Sequence, residues 1–205
     1  MHYLYTAWEV TRDPKIMEEL ATLFRKPVPA DEVDESSRFG KPPMEYFVTP
    51  RGNFYLPGDA VQDVIATHMR SGHVYDEEVV AACLEYIRPG TAVIDGGTNF
   101  GQMTVLFSKA TGPDGKVYSF EAEEYVHYIL QKNIKANGCA NTVVTHGALW
   151  DRVGLDMIYP EPDVSQWPYG GYGLRPGMTE GRKVKTLTID SLAIPEPISL
   201  MKLDL

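Results

Sequence analysis

Residues 91–101 read TAVIDGGTNFG, and they carry the clearest functional signal of the chain. The branched residues before Asp95 favour a short strand, the glycines after it favour a tight turn, and helical character resumes at Gln102. A strand that ends in glycines can turn sharply and point the amides of the next helix at a ligand. The stretch therefore predicts a nucleotide-type site. A plain strand-to-helix connection, with Asp95 capping the helix, is the alternative.

Strand-like and helical segments alternate around this turn. A helix is predicted from the N-cap Asp76, with Glu77 and Glu78 in its first turn and Pro89-Gly90 at its end. The other predicted elements are helices at residues 102–110 and 125–136 and strands at residues 116–120, 142–145, 184–189 and 199–205. This alternation predicts an α/β fold with a doubly wound, mainly parallel, Rossmann-like sheet.

The N-terminal part of the chain has a different pattern. Residues 14–24 have apolar side chains at helical spacing, and a proline-containing polar stretch follows. Two short aromatic and branched runs then flank Arg51-Gly52-Asn53, which predicts a hairpin. We therefore expect residues 1–70 to form an extension of helix, loop and hairpin, and residues 71–205 to form the ligand-binding core.

Composition limits the classes of partner. The 205 residues are 43% hydrophobic, enough for one domain with an appendage, and the net charge of -9 argues against nucleic acid or an anionic membrane surface as a partner. No apolar run approaches the ~20 residues that span a bilayer, and residues 1–10 lack signal-peptide features. The five histidines and two cysteines lack metal-ligand spacing. We expect a cytoplasmic protein without a bound metal; a homo-oligomer is left open.

The spacing in the turn favours one class of nucleotide. A dinucleotide fingerprint needs a glycine where Thr98 or Asn99 stands, and the Lys of a P-loop is missing. Asp95, at the strand tip, would repel a pyrophosphate, whereas S-adenosylmethionine (SAM) has no phosphate and carries a sulfonium and an ammonium group. Glu121 directly follows the next strand, where a carboxylate can accept hydrogen bonds from both ribose hydroxyls. The pattern predicts a SAM site.

A larger set of motifs resembles the FkbM family of SAM-dependent methyltransferases across roughly residues 47–205. Besides the glycine turn, the motifs are FEAE at 120–123, Asn133 with Asn137, ALWD at 148–151, TLTIDSL at 186–192 and KLD at 202–204. TPRGN at 49–53 and SGHVYD at 71–76 are similar to the segment that leads into the family's core. One departure is Ala122, which stands where family members commonly have proline. The chain also stops inside a strand that in the family continues, so the resemblance implies a C-terminally truncated sheet.

The resemblance implies a cofactor site and a reaction. Asp95 and the turn residues would surround the methionine part of SAM, Glu121 would hold the ribose, and residues 148–151 would border the adenine. The implied cofactor-binding residues are Asp95, Gly96, Gly97, Thr98, Asn99, Gly101, Gln102, Glu121, Ala122, Ala148, Leu149, Asp151 and Tyr75. The family mostly methylates hydroxyl oxygens, which implies a small-molecule or glycan acceptor and S-adenosylhomocysteine (SAH) as the product.

The catalytic group and the acceptor are less specified by the sequence. Hydroxyl methylation needs a base near the acceptor, and Asp204 is preferred over His73, His127 and His146 because it lies near the expected substrate edge of the sheet. Residues 159–175, rich in glycine and aromatic residues, indicate either a lid for a cyclic acceptor or an exposed connection with ordinary aromatic packing. The alternative functions are a non-catalytic SAM-binding protein or fragment and, less favoured, an NAD-dependent oxidoreductase.

Overall fold

The computed structural model describes residues 13–161, 163 and 168–205. Residues 1–10, for which the sequence predicts no signal peptide, lie outside the described residues. Trp167 of the glycine-rich segment also lies outside them. The chain divides into two compact units, Met1–Tyr75 and Asp76–Leu205. None of the helices formed by the described residues is long and apolar enough to cross a membrane.

The first unit contains the predicted helix and hairpin. Its elements are α1 (Pro14–Phe24), β1 (Arg25–Lys26), a 3-10 turn (Ser36–Phe39), β2 (Glu45–Thr49), β3 (Gly52–Leu56) and α2 (Val64–Arg70). β2 and β3 pair antiparallel, with Phe47 opposite Phe54 and both rings buried. Asp13 accepts a hydrogen bond from the Lys15 amide, and Pro14 occupies the first turn, which suits a helix N-terminus.

The second unit contains the parallel sheet. Its helices are α3 (Glu77–Tyr86), α4 (Gln102–Thr111) and α5 (Glu124–Ala136), and its strands are β4 (Ala92–Gly96), β5 (Lys116–Glu121), β6 (Thr142–His146), β7 (Ala148–Leu149), β8 (Asp156–Tyr159), β9 (Arg182–Leu187) and β10 (Ile198–Leu203). Four strands lie in the order β10-β4-β5-β6, and every neighbouring pair is parallel. The predicted α/β class is confirmed.

Both faces of this sheet are covered, as the doubly wound fold requires. Val93 packs with Ile87, Phe107 and Val117 on one face, whereas the next residue, Ile94, packs with a cluster on the other face. That second cluster contains Phe120 and Leu149. Consecutive side chains of a strand point to opposite faces, so β4 is buried on both sides. Each such fully buried aliphatic side chain contributes roughly 1.5–3 kcal/mol.

The strand order reverses at β4. The chain continues from β4 outward through β5 and β6, whereas β10 lies on the opposite side of β4. In open parallel sheets a crevice forms outside the carboxyl ends of the strands at such a reversal, because the connections leave in opposite directions. The glycine turn follows the carboxyl end of β4 and is therefore placed at the switch point.

Two details of the second unit differ from the sequence expectations. Residues 148–149 and 182–187 leave the main sheet and form a separate sheet in the order β7-β9-β8, and the predicted strand at 184–189 ends at Leu187, after which Ile189–Leu192 form a 3-10 turn. Asp76 precedes α3 but makes no capping hydrogen bond with its side chain, because its backbone has a φ of 51° instead of the extended conformation of an N-cap. The N-cap position predicted for Asp76 is confirmed, but the capping hydrogen bond expected of its side chain is not formed.

Candidate cofactor site

The glycine turn is held by the neighbouring strand. The amides of Gly97 and Thr98 both donate to the carbonyl of Phe120, at 3.0 and 3.2 Å. The backbone of Asn99 then adopts a φ of 50°, and its amide points towards β5. The tip of β4 and the tip of β5 are therefore joined through the turn.

The glycines of the turn are required by the protein's own packing. Gly97 has a φ of 71°, and a Cβ there would clash with the carbonyl oxygen of Asp204. Gly101, with a φ of 83°, lies against the Leu130 side chain of α5. Residues of β10 and α5 therefore occupy the space that side chains at these two positions would need. A ligand would then be held by the polar groups that surround the turn.

Glu121 ends β5 and lies against the turn. Its carboxylate accepts hydrogen bonds from the amide of Asn99 at 2.9 Å and from the amide of Glu123 at 2.8 Å. Burial raises the pKa of Glu121 from 4.5 to about 7, although these amides oppose the shift. Each carboxylate oxygen has a second lone pair, so the group can accept further hydrogen bonds from a ligand.

Asp95 lies at the tip of β4 and is completely buried. One oxygen, Oδ2, accepts a hydrogen bond from the Thr104 hydroxyl at 2.6 Å, and the other, Oδ1, has no hydrogen-bond partner among the described residues. The ammonium of Lys202 lies 3.7 Å from Oδ1. Burial raises the pKa of Asp95, and the charge of Lys202 opposes the shift.

Lys202 is the residue of this cluster that sequence reasoning missed as a functional group. It belongs to β10, donates a hydrogen bond to the carbonyl of Gly97 at 3.1 Å, and forms an ion pair with Asp204 at 3.7 Å. The sequence offered a signal, because Lys202 and Asp204 point to the same side of a strand. Their place beside Asp95 follows only once β10 is known to pair with β4 in register with Lys202 opposite Asp95.

The remaining predicted residues lie in several places. Thr98 is buried in the glycine turn that follows Gly96. Gln102 is buried in the first turn of α4. Ala148 and Leu149 are buried in β7, where Leu149 packs on Ile94 and Phe120. Asp151 is 69% exposed and pairs with its neighbour Arg152. The partly buried Tyr75 lies in the first unit, where its ring contacts His68 edge to face. Their contacts with a cofactor stay predictions.

Two histidines lie beside the end of β5. The rings of His127 and His146 are 5.1 Å apart, and Nε2 of His146 lies 3.1 Å from the carbonyl oxygen of Ala122. Burial lowers the pKa of His127 to about 4, and the neighbouring His146 adds to the shift. His127 is therefore neutral near pH 7.

The glycine-rich segment after β8 is in part firmly packed. The ring of Tyr169 is buried and meets Phe100 of the turn at 5.8 Å, edge to face, and Tyr125 of α5 at 6.0 Å. Phe100 is fixed in turn by Asn133, whose side-chain amide donates to its carbonyl at 2.8 Å. The aromatic packing that was the alternative to a lid is present at Tyr169.

Other features of the surface lie away from this cluster. Cavities of about 430 and 480 Å³ are found beside Arg25 and Tyr46 in the first unit and beside Gln131 and Cys139 in the second. No predicted cofactor residue lines either cavity. No group of three His, Cys, Asp or Glu that could hold a metal occurs within residues 13–161, 163 and 168–205.

The known proteins to which this chain is similar include methyltransferases. Over 60 residues the chain is 37% identical to the catalytic subunit of a tRNA (adenine(58)-N(1))-methyltransferase from Yarrowia lipolytica, a match that covers 29% of this chain and 15% of the relative. A SAM-dependent methyltransferase from Aquifex aeolicus matches at 27% identity and a TM-score of 0.32, over 36% of this chain and 38% of that one. A SAM-dependent O-methyltransferase from Thermotoga maritima matches at 22% identity and a TM-score of 0.35, over 64% and 52%.

The fold of the second unit is Rossmann-like, with helices on a parallel sheet that reverses at β4. The chain spans 15% of the curated relative and between 38% and 52% of the two solved structures. No family model matches the chain. The resemblance to the FkbM family is therefore carried by the sequence motifs alone.

Proposed function

We propose that residues 76–205 are the cofactor-binding core of a SAM-dependent methyltransferase. The observation that carries the proposal is the pair of buried carboxylates, Asp95 and Glu121, at the tips of adjacent parallel strands where the strand order reverses. A crevice at this position is the binding place for nucleotides in such sheets. The short identity to a tRNA methyltransferase agrees with the proposal.

The charges at the turn favour SAM over a phosphate-bearing cofactor. The described charged groups beside Gly97 are Asp95, Asp204 and Lys202, two negative and one positive. A pyrophosphate at this place would bring only negative charge to a net negative cluster, whereas SAM, with one carboxylate and two cationic groups, carries a net positive charge that the cluster attracts. The structure also fits SAM at the ribose, because Glu121 is fixed by two amides and retains lone pairs for the ribose hydroxyls.

The residues would hold the cofactor and align it. The bound cofactor supplies a methyl group on a sulfonium, and transfer requires that the acceptor be held in line with the bond that breaks. Asp204 presents its carboxylate at the tip of β10 with 82% of the side chain exposed, so it can approach an acceptor. We propose Asp204 as the group that accepts the proton of the acceptor hydroxyl.

The acceptor we propose is a hydroxyl group on a small molecule or glycan, as the FkbM resemblance implies. A tRNA acceptor is the second candidate because the relative with 37% identity acts, by its name, on tRNA. The net charge of -9 favours the first candidate, since phosphate backbones are bound through basic surfaces. A SAM-binding protein without turnover is the third candidate.

Calorimetry with SAM, SAH and NAD tests the cofactor assignment without knowledge of the acceptor. We expect SAM and SAH to bind and NAD to bind at least tenfold more weakly. Tighter binding of NAD than of SAH would overturn the proposal. Transfer of a labelled methyl group to tRNA, to glycans and to small hydroxyl compounds then separates the acceptors, and SAH binding without any transfer would favour the third candidate.

A further inference from the structure

The ammonium of Lys202 is enclosed by three oxygen atoms at the mouth of the glycine turn. It lies 3.1 Å from the carbonyl oxygen of Gly97 and 3.7 Å from one carboxylate oxygen each of Asp95 and Asp204. Only 12% of the Lys202 side chain is exposed. A lysine is rarely buried to this degree unless opposite charges surround it, so the two carboxylates explain why the position tolerates it.

The hydrogen bonds of Lys202 are incomplete. An ammonium group has three donors, and among the described residues only the Gly97 carbonyl lies within hydrogen-bonding distance. The two carboxylate oxygens at 3.7 Å are in ion-pair range but too distant for a good hydrogen bond. Lys202 can therefore donate to a further acceptor, and an anionic group would gain most because charge-assisted bonds are the strongest.

The exposed fractions of the neighbouring side chains show from which side a hydrogen-bond acceptor of a ligand can reach Lys202. Asp95 is completely buried behind Lys202, whereas the Asp204 side chain is 82% exposed in front of it. A ligand therefore meets Lys202 and Asp204, and Asp95 acts through Lys202 by holding it in place. This differs from the sequence interpretation, in which Asp95 itself surrounds the ligand.

We propose that Lys202 binds the carboxylate of the cofactor's amino-acid end; this rests on the proposed SAM function. Lys202 lies beside the glycine turn, where the amino-acid end of the cofactor is expected, and its ammonium has hydrogen-bonding capacity left for a carboxylate. Lys202 is thus a specificity-determining residue. It selects a cofactor with a free amino acid over a thioether nucleoside that lacks the carboxylate.

Two ligands that differ in one group test this directly. SAH and its decarboxylated analogue, which keeps the amino group, are titrated against the wild-type protein and Lys202→Met. We expect the wild type to prefer SAH by roughly ten- to hundredfold, the range for one charge-assisted hydrogen bond. We expect Lys202→Met to lose this preference while its affinity for the decarboxylated analogue changes little.

Two further variants and an unfolding measurement provide the controls. Lys202→Arg keeps the positive charge and should retain most of the preference for SAH. Lys109→Met removes an exposed lysine of α4 and should keep the full preference. Urea unfolding of each variant shows whether it folds, and a wild-type preference below twofold would overturn the inference even if Lys202→Met does not fold.

The remaining outcomes are also distinct. If Lys202→Met weakens both ligands by the same factor, Lys202 only neutralises Asp95 and the inference is wrong. If the wild type binds neither SAH nor its analogue but binds NAD, the proposed SAM function itself fails. The two failures therefore differ in the wild-type titration.

Discussion

Asp95 and Glu121 both lie near the carboxyl ends of adjacent parallel strands, yet different parts of the chain surround them. Glu121 is bound by amides of Glu123 and Asn99, which lie 2 and 22 residues away in sequence. Asp95 is balanced by Lys202, a residue of β10 that the chain adds much later. Glu121 is thus stabilised by dipoles from nearby segments, and Asp95 by a charge from a distant one.

This difference separates the tasks of two residues that the sequence alone predicted to bind the cofactor. A carboxylate held by amides keeps lone pairs for a ligand, whereas a carboxylate buried behind a lysine chiefly supports that lysine. We therefore expect replacement of Asp95 to act mainly on stability, and replacement of Glu121 to act on both stability and binding. The following variants test the distinction, from the largest expected effect to the smallest.

Asp95→Ala should lower the free energy of unfolding by about 3 kcal/mol or more, because it leaves the Lys202 ammonium buried without its main counter-charge. Urea unfolding measures the change. The double variant Asp95→Ala/Lys202→Met should recover a large part of the loss, since neither charge then remains unpaired. Equal losses in the single and double variants would contradict the pairing.

Glu121→Ala should weaken SAH binding roughly tenfold or more, because the hydrogen bonds from the ribose hydroxyls are lost. It should also lower stability by about 2 kcal/mol, since the amides of Asn99 and Glu123 lose their acceptor. Calorimetry and urea unfolding measure the two effects. Unchanged SAH affinity in a folded Glu121→Ala protein would place the ribose elsewhere.

Glu121 should also make stability fall as the pH rises. Its pKa is raised from 4.5 to about 7 in the folded protein, so between these values the native state keeps a proton that the unfolded state releases. By linkage, the contribution of Glu121 to stability is therefore lost progressively from about pH 4.5 to about pH 7. Urea unfolding of the wild type and Glu121→Gln should show this slope only in the wild type.

His127 should make stability change with pH in the opposite direction, and it serves as the internal control. Its pKa falls from 6.5 to about 4, so the unfolded state binds a proton that the native state does not, and its contribution to stability rises from about pH 4 to pH 6.5. His127→Phe should remove this rising component. If Glu121→Gln and His127→Phe change the pH profile in the same direction, the burial of one of them has been misjudged.

Glu124→Gln should have the smallest effect. Glu124 follows the same strand end as Glu121, but its side chain is 49% exposed and pairs with Arg182 at the surface. Exposed pairs contribute about 0.2–1 kcal/mol. We expect SAH affinity within twofold of the wild type and a stability loss below about 1 kcal/mol. A tenfold loss of affinity would move the ribose site from Glu121 towards α5.

Local patterns were sufficient to predict the elements that form the site. The turn after β4, the strand that ends at Glu121 and helix α5 were expected within a few residues of their observed bounds, because branched runs, glycines and apolar spacing are local signals. The start of α5 shows the local signal directly, since Glu123 is its N-cap residue and accepts a hydrogen bond from the Val126 amide at 2.5 Å.

Features that depend on distant pairing were not predictable in the same way. The contact of Gly97 with the Asp204 carbonyl exists only because β10 lies beside β4, and no local signal encodes that pairing. For the same reason the departure of β7 and β9 into a second sheet was missed. The side-chain capping bond of Asp76 was wrongly expected for a different reason. Its residue type suits a cap, but its positive φ does not.

The hydrogen bond from Lys202 to Gly97 joins residues that are 105 positions apart. A ribosome adds roughly 5–20 residues per second, so the glycine turn emerges roughly 5–20 s before the strand that completes it. During that interval the β4 edge that later receives β10 has no partner, and an open edge can pair with another chain. Loop closure over this length also slows folding. We therefore expect the proposed cofactor site to be complete only after β10 has been synthesised.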